Sequence, residues 1–157
     1  MKKLFTLLLG ILIVSCSSDG MHPDYEKNLA TAKKFIELHN SESLDAQVEL
    51  LHDELDWSPP MYGSKNYGKD QHIEAMKGYH AMLDNIQYEA DYWLPGVDPE
   101  TGKNDGSVRT YGTWTGIHTE SGKEFSLRSY HAMAFKDGKI VGGGDYFDFT
   151  GFINSFE

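Results

Sequence analysis

The chain has 157 residues, 24 acidic against 14 basic, and a formal charge of −10 at neutral pH. That balance, with no basic cluster anywhere, repels phosphate backbones and excludes nucleic acid as a partner. A single cysteine rules out an internal disulfide, so the fold rests on one core, for which the length is sufficient.

Met1, Lys2 and Lys3 make a short positive start, followed by an apolar run from Leu4 to Val14 broken only by Thr6 and Gly10. This is the layout of a secretory signal, well short of the ~20 apolar residues that span a bilayer. Ile13-Val14-Ser15-Cys16 resembles the lipobox of bacterial lipoproteins. The resemblance implies cleavage after residue 15, acylation of Cys16 (palmitate among its chains) and anchoring in the cell envelope. Ser17 is not acidic, which favours the outer membrane. The competing reading is a secreted protein with a chance cysteine at its cleavage site. The only cysteine stands where the motif requires it, which weighs against chance. Acyl chains gain about 0.8 kcal/mol per buried methylene, so the anchor is durable, and a lipidated thiol is lost to catalysis. Residues 16–22 then form the lipidated cysteine and tether, and residues 23–157 the exported domain.

Asp24 is placed to cap a first helix, along which Tyr25, Leu29, Ala32, Ile36 and His39 keep helical spacing, widened by Phe35 and Leu38. Ser43 opens a shorter helix carrying Leu44, Val48 and Leu51. Glu54 to Ser58 reads as a brief strand stopped by Pro59-Pro60. Asp70 is the expected cap of a third helix with the stripe Ile73, Met76, His80 and Leu83, flanked by Tyr79 and Met82. From Ile86 the period becomes two, and Ile86, Tyr88, Ala90, Tyr92 and Leu94 mark a half-buried strand. Pro95 to Ser107 reads as a long connection. Strands follow over Val108–His118, Phe125–Phe135 and Ile140–Phe149, the last two joined at Asp137-Gly138, a tight-hairpin signal. The tail from Gly151 to Phe156 suits one helical turn whose phenylalanines cover an open end.

Helices first and an antiparallel meander after is an α+β pattern. This order, with Trp114-Thr115-Gly116-Ile117-His118, Lys136-Asp137-Gly138-Lys139-Ile140 and Asp145-Tyr146-Phe147-Asp148, resembles the SnoaL-like group of the NTF2-like superfamily from about Tyr25 to Glu157. The resemblance implies a cone: a curved antiparallel sheet wrapped around the first helix, with a pocket inside. It also implies cofactor-free cyclase or isomerase chemistry and dimers formed through the sheet. Gly142-Gly143-Gly144, mid-strand with no helix after it, suits a bulge or bend rather than a phosphate loop, and Gly112 and Gly116 suit the same role.

Alternation decides which residues face inward. Phe135, Met133, His131, Ser129 and Leu127 fall on the core face, with Arg128 and Tyr130 outside. Counting by twos from Ile140 puts Tyr146 and Asp148 inside. A bulge at the glycines reverses that, exchanging Asp145 for Tyr146 and Phe147 for Asp148. In the unbulged register a carboxylate, an imidazole and a phenol share an apolar cavity. Burial raises a carboxyl toward the range of a general base, and a phenol or imidazole can donate to an enolate oxygen. Asp148 is matched by motif position to the acid/base aspartate of the SnoaL-like cyclases, with His131 and Tyr146 beside it; Asp56 is the second carboxylate candidate. Against this stand an Asp148 that caps the turn at Thr150-Gly151 and a His131 that is a satisfied core histidine. Trp57, Tyr79, Trp114 and Met133 are the candidate ligand contacts, though each also suits the core.

No cofactor or metal is called for. His72 and His80 lie two turns apart but lack an HExxH motif, and Asp98, Glu100 and Asp105 lack calcium-loop spacing. Two functions stay open. One is an envelope lipoprotein that binds a small apolar or aromatic molecule, with isomerase, cyclase or dehydratase chemistry. The other is a non-enzymatic binding or protein-interaction module. A homodimer fits either.

Overall fold

A computed structural model describes residues 20–157; the signal segment and Cys16 lie outside the described residues. The elements run α1 (Tyr25–Asn40), α2 (Leu44–Glu49), β1 (Leu51–Ser58), α3 (Lys69–Met82), β2 (Leu83–Val97), β3 (Asn104–His118), β4 (Glu124–Lys136), β5 (Lys139–Tyr146) and α4 (Phe149–Asn154). One sheet has the order β1-β5-β4-β3-β2, with β1 parallel to β5 and the rest antiparallel. This is the α+β, NTF2-like cone expected from the sequence.

The apolar stripe makes α1 the inner support of the sheet. Tyr25, Ala32, Phe35, Ile36 and Leu38 are buried on it, each contributing on the order of 1.5–3 kcal/mol, with Ala32 less. All but Leu38 join one core cluster with Leu51, Leu55 and Trp57 of β1, Met76 of α3, Val108 of β3, Met133 of β4 and Ile140 of β5. A second cluster closes one end, where Phe152 of α4 joins Leu83 and Ile86, with Phe125, Phe147 and Phe156 against them. The C-terminal phenylalanines thus cover that end, as their spacing suggested.

Several boundaries differ from the sequence reading, among them the second helix, which ends at Glu49 and leaves Leu51 to β1. β1 spans eight residues because Leu51 and Leu55 reach the core ahead of Trp57. The connection after Leu94 is shorter than expected: β2 continues through Pro95 to Val97 and β3 starts at Asn104. Proline is tolerated there because β2 is an edge strand, where a missing N–H breaks no ladder. α3 begins at Lys69 after Gly68, whose N–H is accepted by the Gln71 side chain at 3.2 Å. β5 stops at Tyr146, and the final helix takes the residues from Phe149.

The glycine triplet bends the sheet. β4 and β5 pair Phe135 with Ile140 but Ala134 with Gly142, so Val141 is an extra residue and the register slips by one. Gly143 sits at φ +150°, where a Cβ would stand 2.0 Å from the Ala132 carbonyl oxygen and 3.0 Å from the Trp57 ring. Only glycine fits that close crossing of strands.

Candidate active site

Between α1, α3 and the inner face of the sheet lies a cavity of about 80 Å³, well above the ~10–15 Å³ that one water occupies. Its wall is largely aromatic and aliphatic, with Phe35 from α1, Trp57 from β1, Tyr79 from α3, Trp114 from β3, Met133 from β4 and Phe152 from α4. The polar exceptions are His39, Tyr67, His72, His131 and Asp145.

Asp145 and His131 face each other across the β4–β5 ladder. Asp145 Oδ1 lies 2.7 Å from His131 Nδ1, and Asp145 Oδ2 accepts from Trp57 Nε1 at 2.9 Å. On the far side of the imidazole, Trp114 Nε1 donates to His131 Nε2 at 2.8 Å. An indole N–H can only donate, so Nε2 accepts and Nδ1 carries the proton offered to Asp145. Ser129 Oγ stands 2.9 Å from the same Nε2. Serine, histidine and aspartate are thus in line. Ser129, however, is 4% exposed and lies outside the cavity wall, so its hydroxyl steadies the imidazole.

The Asp145 side chain is only 17% exposed. Burial alone pushes its carboxyl up, but the hydrogen bonds from His131 and Trp57 and the imidazoles of His131 and His72 outweigh it and hold the group below the usual carboxylate range. Asp145 is the ionised group of the cavity. Around it, burial drives the other groups toward neutrality. His72 is lowered to about 4 by burial, against the pull of Asp145. His39 is lowered to about 3 by burial and by its neighbour His80, whose Nε2 lies 3.0 Å from His39 Nδ1. Burial raises Tyr67 to about 12 and Tyr79 further, with Asp145 adding to both, so both are protonated phenols.

Of the residues singled out from sequence, the structure brings His131, Trp57, Tyr79, Trp114 and Met133 to the cavity wall. Tyr146 and Asp148 do not join them. The bulge at Val141 turns Tyr146 to the outer face, 50% exposed and packed on Tyr130 at 5.2 Å. The bulged register anticipated for the glycine triplet is the one adopted, and it points Asp145 and Phe147 inward. Asp148 is exposed and caps α4, its Oδ1 accepting from the Gly151 N–H at 2.9 Å. Asp56 is exposed too, bonded to the Asn66 amide at 3.0 Å. Sequence reasoning missed Tyr67 and weighed His72 only as a metal ligand. His72, Met76, Tyr79 and Leu83 make a helical stripe as good as the one chosen, one residue away from it.

The SnoaL-like domain family matches residues 32–143. Solved structures of the same fold include a Bacillus subtilis protein provisionally described as an isomerase, at 19% identity over 81% of this chain and 90% of that one, with a TM-score of 0.68. An NTF2-like protein of unknown function from Burkholderia pseudomallei matches at 19% identity over 82% and 95%, TM-score 0.65. A Mycobacterium tuberculosis epoxide hydrolase matches at 16% identity over 85% and 92%, TM-score 0.63. At such identities the likeness speaks for the fold. No curated protein matches by sequence.

Proposed function

The chain belongs to the SnoaL-like domain family of the NTF2-like superfamily, and from that premise we propose that it binds a small uncharged compound with an apolar or aromatic body and moves a proton on it without a cofactor. One observation carries the reading: an ionised carboxylate, Asp145, held by His131 and Trp57 on the wall of a largely aromatic cavity. Each Asp145 oxygen keeps acceptor capacity beyond the bond it already makes, so the carboxylate can take a proton from a ligand. The donors that hold it also limit its basicity, and efficient transfer needs a proton of matching acidity. This favours activated C–H groups, such as those between two carbonyls, over simple ketones. His131 orients the carboxylate and is a positioning residue in this scheme; Trp57, Tyr79, Trp114 and Met133 would contact the ligand body.

Hydrogen–deuterium exchange at C2 of benzoylacetone, an aromatic 1,3-dicarbonyl that is uncharged at neutral pH, tests the chemistry by NMR. The protein is expected to accelerate exchange over buffer, and Asp145→Asn to remove about 10²-fold or more of that acceleration, the usual share of a general base. Equal acceleration by both proteins would remove the acid–base step. Absence of any ligand binding would leave the interaction module as the surviving reading.

We also propose that the domain is displayed on the envelope through lipidated Cys16, probing the outer membrane's aqueous side, and that it pairs with a second copy through the outer sheet face. The lipobox-like stretch supports the first. A row of tyrosines supports the second: Tyr92, Tyr111, Tyr130 and Tyr146 lie in register across β2 to β5 on that face.

A further inference from the structure

We propose that His72 is the polar recognition point of the cavity and takes an oxygen, a hydroxyl or a carbonyl, of the bound compound. The inference rests on the reading of the cavity as a small-molecule site and adds to it what the molecule must carry. His72 is 4% exposed, and neither ring nitrogen has a hydrogen-bond partner among the described residues. Buried polar groups are nearly always paired, and one left alone costs its full desolvation. Of the other imidazoles on the wall, His131 is bonded at both nitrogens and His39 pairs with His80. His72 is held by rings instead: it stacks on Phe35 at 6.2 Å, lies against Trp57 at 4.5 Å and near Tyr67 at 5.9 Å. Packing of that kind fixes the ring while leaving its hydrogen bonding to whatever enters the cavity.

The state of the ring narrows the choice. Burial keeps His72 neutral at physiological pH, so it offers one N–H and one lone pair. A hydroxyl can use either nitrogen and a carbonyl the N–H, whereas an anionic group would meet Asp145 with no lysine or arginine among the described residues of the wall to offset it. Position narrows it further. Trp57 touches His72 with its ring and Asp145 with its N–H, so the recognised oxygen and the proton to be moved lie about one indole apart. The protonated phenols of Tyr67 and Tyr79 line the same cavity and offer it further O–H donors. The ligand class is therefore a compact, uncharged aromatic or alicyclic compound bearing an oxygen close to its reactive carbon.

Phenol and toluene, which differ by a hydroxyl in place of a methyl group, provide the test, with binding to the full chain followed by ligand-observed NMR. The parent is expected to prefer phenol by roughly tenfold, the value of about one good hydrogen bond. His72→Phe keeps the ring and its stacking, and should bring the two affinities together while raising the melting temperature. In the parent protein the ¹⁵N shifts of the His72 ring should move with phenol and stay put with toluene, a readout that needs no variant to fold. A phenol preference that survives His72→Phe, or ring shifts indifferent to phenol, overturns the assignment. If both compounds bind the parent equally, His72 recognition falls and the cavity reading stands. If neither binds, both fall together.

Discussion

His39 and His72 are held neutral by burial at pH values where a free imidazole takes up a proton. The unfolded chain therefore binds protons near pH 6.5 that the folded chain refuses down to about pH 4. With both pKa values lowered on folding, stability is full above about pH 6.5 and falls as the pH drops through the window below it. Each histidine contributes a slope of up to about 1.4 kcal/mol per pH unit, so the pair gives roughly 2–3 kcal/mol per unit near pH 5. Asp145 extends the loss: its depressed pKa stabilises the fold above the ordinary carboxylate value and is forfeited as the pH falls through the lowered one. Urea unfolding at pH 7.5, 6.5 and 5.0 should give a near-constant free energy across the first interval and a clear fall across the second. Equal stability at 6.5 and 5.0 would show that these imidazoles protonate in place. The bond between His39 and His80 adds a local consequence, because two protonated rings cannot keep it.

The bulge in β5 decides which carboxylate enters the cavity, and Gly143 decides whether the bulge can form. An alanine there would push its Cβ into the Ala132 carbonyl and the Trp57 ring at an unfavourable φ, with an expected cost of about 2–4 kcal/mol. Because Trp57 holds Asp145, ligand binding should fall with it. Gly78 in α3 has open space around its Cα, and Gly78→Ala should stabilise by about 0.5–1 kcal/mol. Parallel urea titrations compare the two, and a neutral Gly143→Ala would sink the account of the bend. The same element explains what could be read in advance. The inward set of β4, from Leu127 to Met133, followed from alternation alone, since its ladder with β3 has no break. Ile140 was legible for the same reason. Tyr146 and Asp148 were not, because one inserted residue inverts a period of two, and three adjacent glycines mark a bend without saying which residue is extra. In α3 the difficulty was different: His72 and Ile73 are neighbours on one face, and a helical stripe drawn from sequence does not say which of the two meets the cavity.

At the scale of the whole molecule the inside and the outside of the sheet pose separate questions. The cavity wall draws on the Leu83–Ile86 end of β2 and on Trp114 of β3. The chain enters the domain near the other end of that hairpin, where Asn104 donates to the Gly20 carbonyl at 2.6 Å and His22 packs over Gly106. Trp114 lies ten steps along β3 from Asn104, roughly 30 Å. The proposed lipid on Cys16 would join the chain four residues before Gly20, at the end of the hairpin remote from Trp114. The outer face carries the tyrosine row, with Tyr92 61% and Tyr111 38% exposed and Tyr111 stacked on Tyr130 at 4.7 Å. Tyrosine suits an interface because a rigid ring covers much area at little entropic cost. Anchor and dimer separate in one experiment on cells fed labelled palmitate, fractionated and cross-linked. The parent should carry label, sediment with membranes and cross-link as a dimer. Cys16→Ser should lose the label and leave the membrane fraction. Tyr111→Glu, which places a charge mid-row on a solvent-facing position, should stay labelled and membrane-bound while the dimer band falls at least severalfold, about what burying an unpaired carboxylate costs. A dimer untouched by Tyr111→Glu would move the contact off the sheet, and label retained in Cys16→Ser would end the anchor.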